Sequence, residues 1–345
     1  MEELFMAAPT LDSEKIKEIV SKMTLEEKAA LTSGLDNWHT KGVDRIGVPK
    51  LFMSDGPHGL RIEPNESDDL NKFHSKPAVC FPAGSLTASS FDTKVAEAIG
   101  EAIGEACLEE NVDIILGPSL NTKRSPLCGR NFEYMSEDPL LAGEISAAYI
   151  NGVQSKGVGT SAKHFFANSQ EFRRMTSSSN ADERTLRELY LTNFEIAIKK
   201  SQPWTVMASY NKINGTFATE HTQYIEDMLY NEWGYTGFVV SDWSAVHNRV
   251  AAAKGGTALT MPSDTNNDSR IVEAVRSGEL DEKQLDKLCE RIIDVTYRAK
   301  VDKVKKTYDF EAALACAQEA AEQSIVLLKN DGVLPLSKNK KVAFI

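Results

Sequence analysis

Nothing in the 345-residue sequence gathers its five cysteines into a motif. Cys80, Cys107, Cys128, Cys289 and Cys316 are odd in number and widely spaced, with no C-x-x-C pair. That argues against a zinc or dithiol centre and reads as buried free thiols in a reducing compartment. No apolar run approaches the roughly eighteen residues of a membrane span, and the start, MEELFMAAPT, lacks a basic region followed by an apolar stretch. A soluble, cytoplasmic protein with no membrane partner is the expectation. Basic residues form no dense cluster and the net charge is −11, which would repel a phosphate backbone, so nucleic acid is not an expected partner. There is no internal repeat, no low-complexity tract and no glycine-rich dinucleotide turn. A nucleotide-dependent barrel oxidoreductase is thereby set aside. No His-x-Glu or His-x-His pair offers ligand spacing, and neither a metal nor another cofactor is expected.

What is present is 41% hydrophobic content, enough for one large domain or two ordinary ones. Short apolar or β-branched runs at 51–53, 113–116, 159–162, 205–209, 237–241 and 257–260 alternate with segments of helical period. The stretch 93–110 carries Val95, Ile99, Ile103 and Cys107 on one face behind Asp92 as a cap, and 182–200 carries Leu186, Leu189, Tyr190, Phe194 and Ile198. Thr24 with Glu27 forms a capping-box pattern, and Asp281 with Gln284 opens a helix bearing Leu285, Leu288, Ile292 and Val295. Six or more βα units over about 300 residues predict an α/β fold of the (β/α)8 TIM-like barrel type, complete or short of its full eight units. The barrel is assigned to residues 1–306. After it, 307–345 reads as a linker helix over 310–329, the turn Asn330-Asp331-Gly332, and a strand begun at 341–345. A lone strand would leave its backbone groups unpaired, so it is expected to open a second, truncated α/β domain.

Just past the strand runs stand Asp55, Lys163, His164, Tyr210 and Asp242. In a parallel barrel these positions share the C-terminal rim. Carboxylates and guanidinium groups (Arg130, Arg174) that grip hydroxyls, with Trp243 and Tyr210 to pack on a pyranose face, suit sugar recognition. Each residue also has a plainer reading. Asp242 could cap a helix starting at Ser244; Arg130 could pair with Glu133 or Glu137 at the surface; Lys163-His164 could be a snorkelling lysine beside a core histidine; Tyr210 and Met207 could be packing. His39, His58, His74, His221 and His247 draw no role, except that His58 lies in one of the motifs that follow.

Those motifs are SDGPHGLR (54–61), FPAGSLTASSFD (81–92), GRNFEYMSEDP (129–139), SAKHFFANSQEFRR (161–174), VMASYNKING (206–215) and GFVVSDWSAVH (237–247). Together they resemble glycoside hydrolase family 3, most closely its bacterial β-glucosidase branch, from about Lys15 to Ile345. The resemblance implies a retaining β-glycosidase that releases terminal β-D-glucosyl residues from a small-molecule β-glucoside or oligosaccharide. It implies Asp242 as the nucleophile and Asp55, Arg130, Lys163, His164, Arg174 and Tyr210 as sugar-gripping residues, with Met207 and Trp243 as neighbours. The segment after Lys163-His164-Phe165 lacks the Asp-Ser-His run that marks the family's N-acetylglucosaminidases. Thr260 stands where the family usually has an acid shortly before Met-Pro. The general acid/base glutamate, which the family carries in its second α/β domain, has no candidate here, so a fragment or one part of the enzyme is expected, and the chain alone should be weak or inactive. A β-xylosidase on the same scaffold and a non-catalytic sugar-binding barrel are the alternatives, and homo-oligomerisation stays open.

Overall fold

The computed structural model describes residues 11–63, 75–264, 266–300 and 308–343. His74, the first ten residues, the 306/307 boundary and the last two positions of the 341–345 strand lie outside them. Six strands form one all-parallel sheet in sequence order: β1 (Met53–Ser54), β2 (Ile114–Ile115), β3 (Gly159–Phe165), β4 (Thr205–Ala208), β5 (Phe238–Ser241) and β6 (Thr257–Leu259). Each falls on a predicted run. The sheet curls into a TIM-like barrel. Its two edges are bridged by the segment 32–40, which comes before β1 in the chain. At one end Thr260 N donates to Thr32 O and Gly34 N to Thr260 O; at the other Met53 N donates to Trp38 O and Thr40 N to Leu51 O. This seam satisfies edge groups that an open sheet would leave unpaired.

The strands alternate faces as a pleat requires. Val206 and Ala208 pack outward with Phe194 and Ile198, whereas Met207 shares a cluster with Met53, Ile114, Val240 and Met261. Helices cover the outer face. Thr93–Glu109 starts on Asp92, whose carboxylate accepts from Lys94 N, and Pro139–Gln154 starts on Asp138, which accepts from Leu141 N. These two helices cross closely through glycines: a Cβ on Gly100 would come within 2.3 Å of Tyr149 O, and one on Gly152 within 2.2 Å of Glu97 O. The Thr24–Glu27 capping box is present on Leu25–Leu31, and Asp281 accepts from Lys283 N at the start of Glu282–Lys300.

Four expectations change. The helix Phe310–Ser324 ends five residues before Lys329, at an extended Ile325, and its Ala313, Ala317 and Ala320 pack on the barrel cluster beneath Ile103 and Val153. The turn after it is held by the Asn330 side chain, which accepts from Gly332, Val333 and Leu334 N–H groups, but residues 341–343 make no strand. Arg249–Lys254 is capped by Asn248, so no helix begins at Ser244 for Asp242 to cap. All five cysteines are free, but Cys80 is exposed and Cys316 only partly covered, because Cys80 sits on the loop before the 84–89 helix rather than in an element. No described helix is long and apolar enough to cross a membrane.

Candidate functional site

Strand ends set the positions. Asp55 follows β1, Lys163 and His164 lie in the last turns of β3, Tyr210 is two residues past β4, and Asp242 follows β5. Register places Lys163 beside Met207 and Met207 beside Val240, so neighbouring strands deliver their ends to one rim. Lys163 and His164 are buried. Lys163 Nζ does not snorkel to solvent but donates to Asp55 Oδ1 at 2.9 Å. Asp55 is the most open of the group, with 38% of its side chain exposed.

Arg130 links the cluster to a carboxylate that the sequence reading had put at the surface. Its Nε pairs with Glu133, and its Nη2 donates to His164 Nε2 at 2.9 Å. Glu133 is buried and also accepts from Ser119 Oγ at 2.5 Å. Arginine can only donate, so His164 Nε2 must accept, and the ring proton sits on Nδ1, which faces Asn121 Oδ1 at 3.3 Å. Burial, and then the charges of Arg130, Lys163 and Arg174, hold the imidazole well below its ordinary value, in agreement with this neutral tautomer. Asn121 also accepts from His164 N and donates to His164 O.

Asp242 Oδ1 accepts from Trp243 N at 2.7 Å, and Oδ2 lies 3.7 Å from His164 Nε2. Burial raises the Asp242 carboxyl, and the Trp243 N–H, Lys163, the Tyr210 hydroxyl and Arg130 pull against it without cancelling the effect. For Asp55 and Glu133 burial also acts upward, but is outweighed, chiefly by Lys163 and, for Glu133, by Arg130; both carboxyls end below their ordinary values. The Tyr210 hydroxyl is raised by burial and by Asp242. Arg174 stacks on the Tyr210 ring, Cζ to centroid 4.5 Å, and pairs with Glu171 at 2.7 Å. Trp243 donates its Nε1 to Asn37 O at 2.8 Å and packs on Trp38, ring centroids 5.6 Å apart, so the seam segment also fixes the site's aromatic wall.

Contacts therefore join Asp55 to Lys163, His164 to both Arg130 and Asp242, and Arg174 to Tyr210 at one rim, with Trp243 next to Asp242, while Met207 is buried in the barrel interior. Glu133, Ser119, Asn121 and Trp38 were missed. Ser119 and Asn121 lie four and six residues past the end of β2, too far for a rule that reads only the residue just past a strand. His58, in the SDGPHGLR segment, is pushed down to about 4 by burial and faces Glu133 and Lys163. Among the described residues no group of three or more His, Cys, Asp or Glu side chains is placed to hold a metal. The site as described can grip hydroxyls from several sides and presents one buried carboxylate without a salt-bridging cation of its own at hydrogen-bond distance.

Comparison with known proteins gives three findings. Residues 25–295 match the model of the glycosyl hydrolase family 3 N terminal domain. The chain is 51% identical to a thermostable beta-glucosidase B of Acetivibrio thermocellus, over 96% of this chain and 44% of that protein, and 45% identical to an exo-alpha-(1->6)-L-arabinopyranosidase of Bifidobacterium breve, over 94% and 43%. Beta-glucosidase 3B of Thermotoga neapolitana, solved in complex with glucose, superposes with a TM-score of 0.88 at 40% identity, covering 94% of this chain and 49% of that one. The chain thus spans less than half the length of each of these relatives.

Proposed function

The chain belongs to glycoside hydrolase family 3, and from that premise we propose that it carries the sugar-binding and nucleophilic part of a retaining β-glucosidase. The observation that carries this reading is Asp242: a buried carboxylate at a strand end, oriented by the Trp243 N–H and ringed by Lys163, Arg130 and Tyr210. In the first step an Asp242 oxygen bonds to the anomeric carbon while the glycosidic C–O bond breaks, and the leaving oxygen takes a proton from an acid. In the second, a water that gives its proton to the same acid's conjugate base displaces Asp242 and releases the sugar. Asp55, Lys163 and Arg130 grip hydroxyls, and Trp243 with Trp38 offers the apolar wall. We assign the acid to a second α/β domain, into which 307–345 would lead. Glu133 is unsuited to that role, since Arg130, Lys163 and Ser119 hold it ionised.

The arabinopyranosidase relative supplies the comparison substrate for sugar choice, and a β-xyloside is the weaker alternative. A 2-fluoro-β-glucoside with a dinitrophenolate leaving group needs no acid. It should add the mass of one fluorosugar, mapped to Asp242, in the 345-residue chain shown to be folded by circular dichroism; label on another residue, or none in folded protein, would refute the assignment. Cellobiose, whose leaving group does need the acid, should be cleaved by that chain about 10² to 10⁴ times more slowly than by a protein that includes the second domain.

A further inference from the structure

Lined in part by Ser244 and Val246, which follow Asp242-Trp243 in the chain, and by Met261 and Pro262 lies a cavity of about 400 Å³. Its floor is formed by Arg249, Thr260 and Asn267, all buried, and its rim by His247, Asp264 and Arg270, all exposed. Arg249 is 2% exposed. One of its nitrogens, Nη2, donates to Thr32 O at 3.0 Å. Nε and Nη1 are buried and have no hydrogen-bond partner among the described residues, and the same holds for the Thr260 hydroxyl. The carboxylate whose charge acts on the guanidinium, Asp268, is committed elsewhere: Ser33 Oγ donates to it at 2.5 Å and Lys41 Nζ at 2.6 Å.

A buried guanidinium with two unused donors is costly, because its charge and its N–H groups have both lost water. A carboxylate at position 260 would answer both. Here the side chain is a threonine, which adds a hydroxyl donor and no charge. We propose that Arg249 and the Thr260 hydroxyl bind a small monovalent anion of chloride or formate size. The charge argues for a single negative unit, because Arg249 is the one cation of the floor and the rim's Asp264 and Arg270 offset each other. The site is also joined to the seam and to the nucleophile. Thr260 N and Arg249 Nη2 share Thr32 O, while Met261 N donates to Ser241 Oγ and Met261 O accepts from Ser244 N on either side of Asp242-Trp243.

The test is thermal unfolding of the whole chain in sodium chloride, sodium formate and sodium isethionate, a bulky anion, at equal ionic strength. Binding to the folded state alone should raise Tm saturably in the two small anions, by roughly 2 °C, relative to isethionate. Thr260→Glu should raise Tm in isethionate and abolish the small-anion increment, because its carboxylate would take the anion's place beside Arg249. Equal midpoints in all three salts for the unmodified chain, or an undiminished increment in Thr260→Glu, would overturn the proposal. Should Thr260→Glu not fold, the chlorine-35 linewidth of the unmodified protein decides: excess broadening that formate displaces supports the site, and its absence, or broadening that formate leaves untouched, rejects it. No substrate enters either measurement, so its outcome is independent of the glycosidase reading.

Discussion

Arg130 and Glu133 illustrate how one pair can carry opposite meanings at the surface and in the interior. Spaced three apart, they read in the sequence as a surface ion pair, worth little. The structure buries Glu133 and half-buries Arg130, and there the loss of one partner strands the other's charge. Glu133→Ala is expected to destabilise the fold by about 3 to 5 kcal/mol, with Glu133→Gln milder, in urea unfolding. Asp242 has the reverse sign. Its folded pKa is raised, so the folded state favours the protonated form and the ionised carboxylate costs stability above the unfolded value. Asp242→Asn should therefore raise Tm at neutral pH while abolishing turnover, which calorimetry and an aryl β-glucoside assay would report together. Asp55 is lowered by Lys163, so its contribution is present above the unfolded carboxylate value of about 4 and lost as pH falls through the lower folded value. In Asp55→Asn the acid-induced loss of stability should be smaller than in the parent, read from urea midpoints between about pH 5 and pH 2.

Among the elements, six strands and their parallel order were legible because each is a short apolar or β-branched run alternating with a helical segment, and 237–241 with its following aspartate was the plainest. What escaped was structure without a periodic signature. The seam at 32–40 has no strand pattern, since it meets both edges through single bridges and a turn in which Asp36 accepts from Trp38 and His39 N–H groups. Buried polar anchors such as Ser119 and Asn121 have ordinary loop residue types, and only their spatial partners mark them. The 310–329 helix was over-extended because Ile325 to Leu328 continue its apolar character while the backbone turns extended at Ile325. Helix crossing was also invisible, as glycine spacing alone does not name a partner. Gly100→Ala would press a methyl onto Tyr149 O and force the Thr93–Glu109 and Pro139–Gln154 helices apart. It should cost about 1 to 3 kcal/mol by chemical denaturation, whereas alanine at Gly278, where no atom lies within 4 Å, would meet only the strain of its φ of +77°.

At the scale of the molecule, the helix Phe310–Ser324 docks its alanine face on the barrel, but the residues after it do not. Ile325, Val326, Leu327, Leu328 at 93% exposure, Val333, Leu334 and Leu336 lie open in one stretch. An apolar stretch of this kind promotes association, so deleting 325–345 should reduce dye binding to exposed hydrophobic surface and shift sedimentation toward monomer without changing the circular dichroism of the barrel. The seam has a different consequence, felt before the protein is finished. Thr32 and Gly34 leave the ribosome early, and their partner Thr260 follows more than 220 residues later. At ordinary elongation rates of about 5 to 20 residues per second, the nascent sheet waits roughly 10 to 45 s for that closing contact, whereas the Trp38 and Thr40 contacts to Met53 and Leu51 at the other edge are local in sequence. During that interval its open strands are what a chaperone, or a neighbouring chain on the same polysome, would meet.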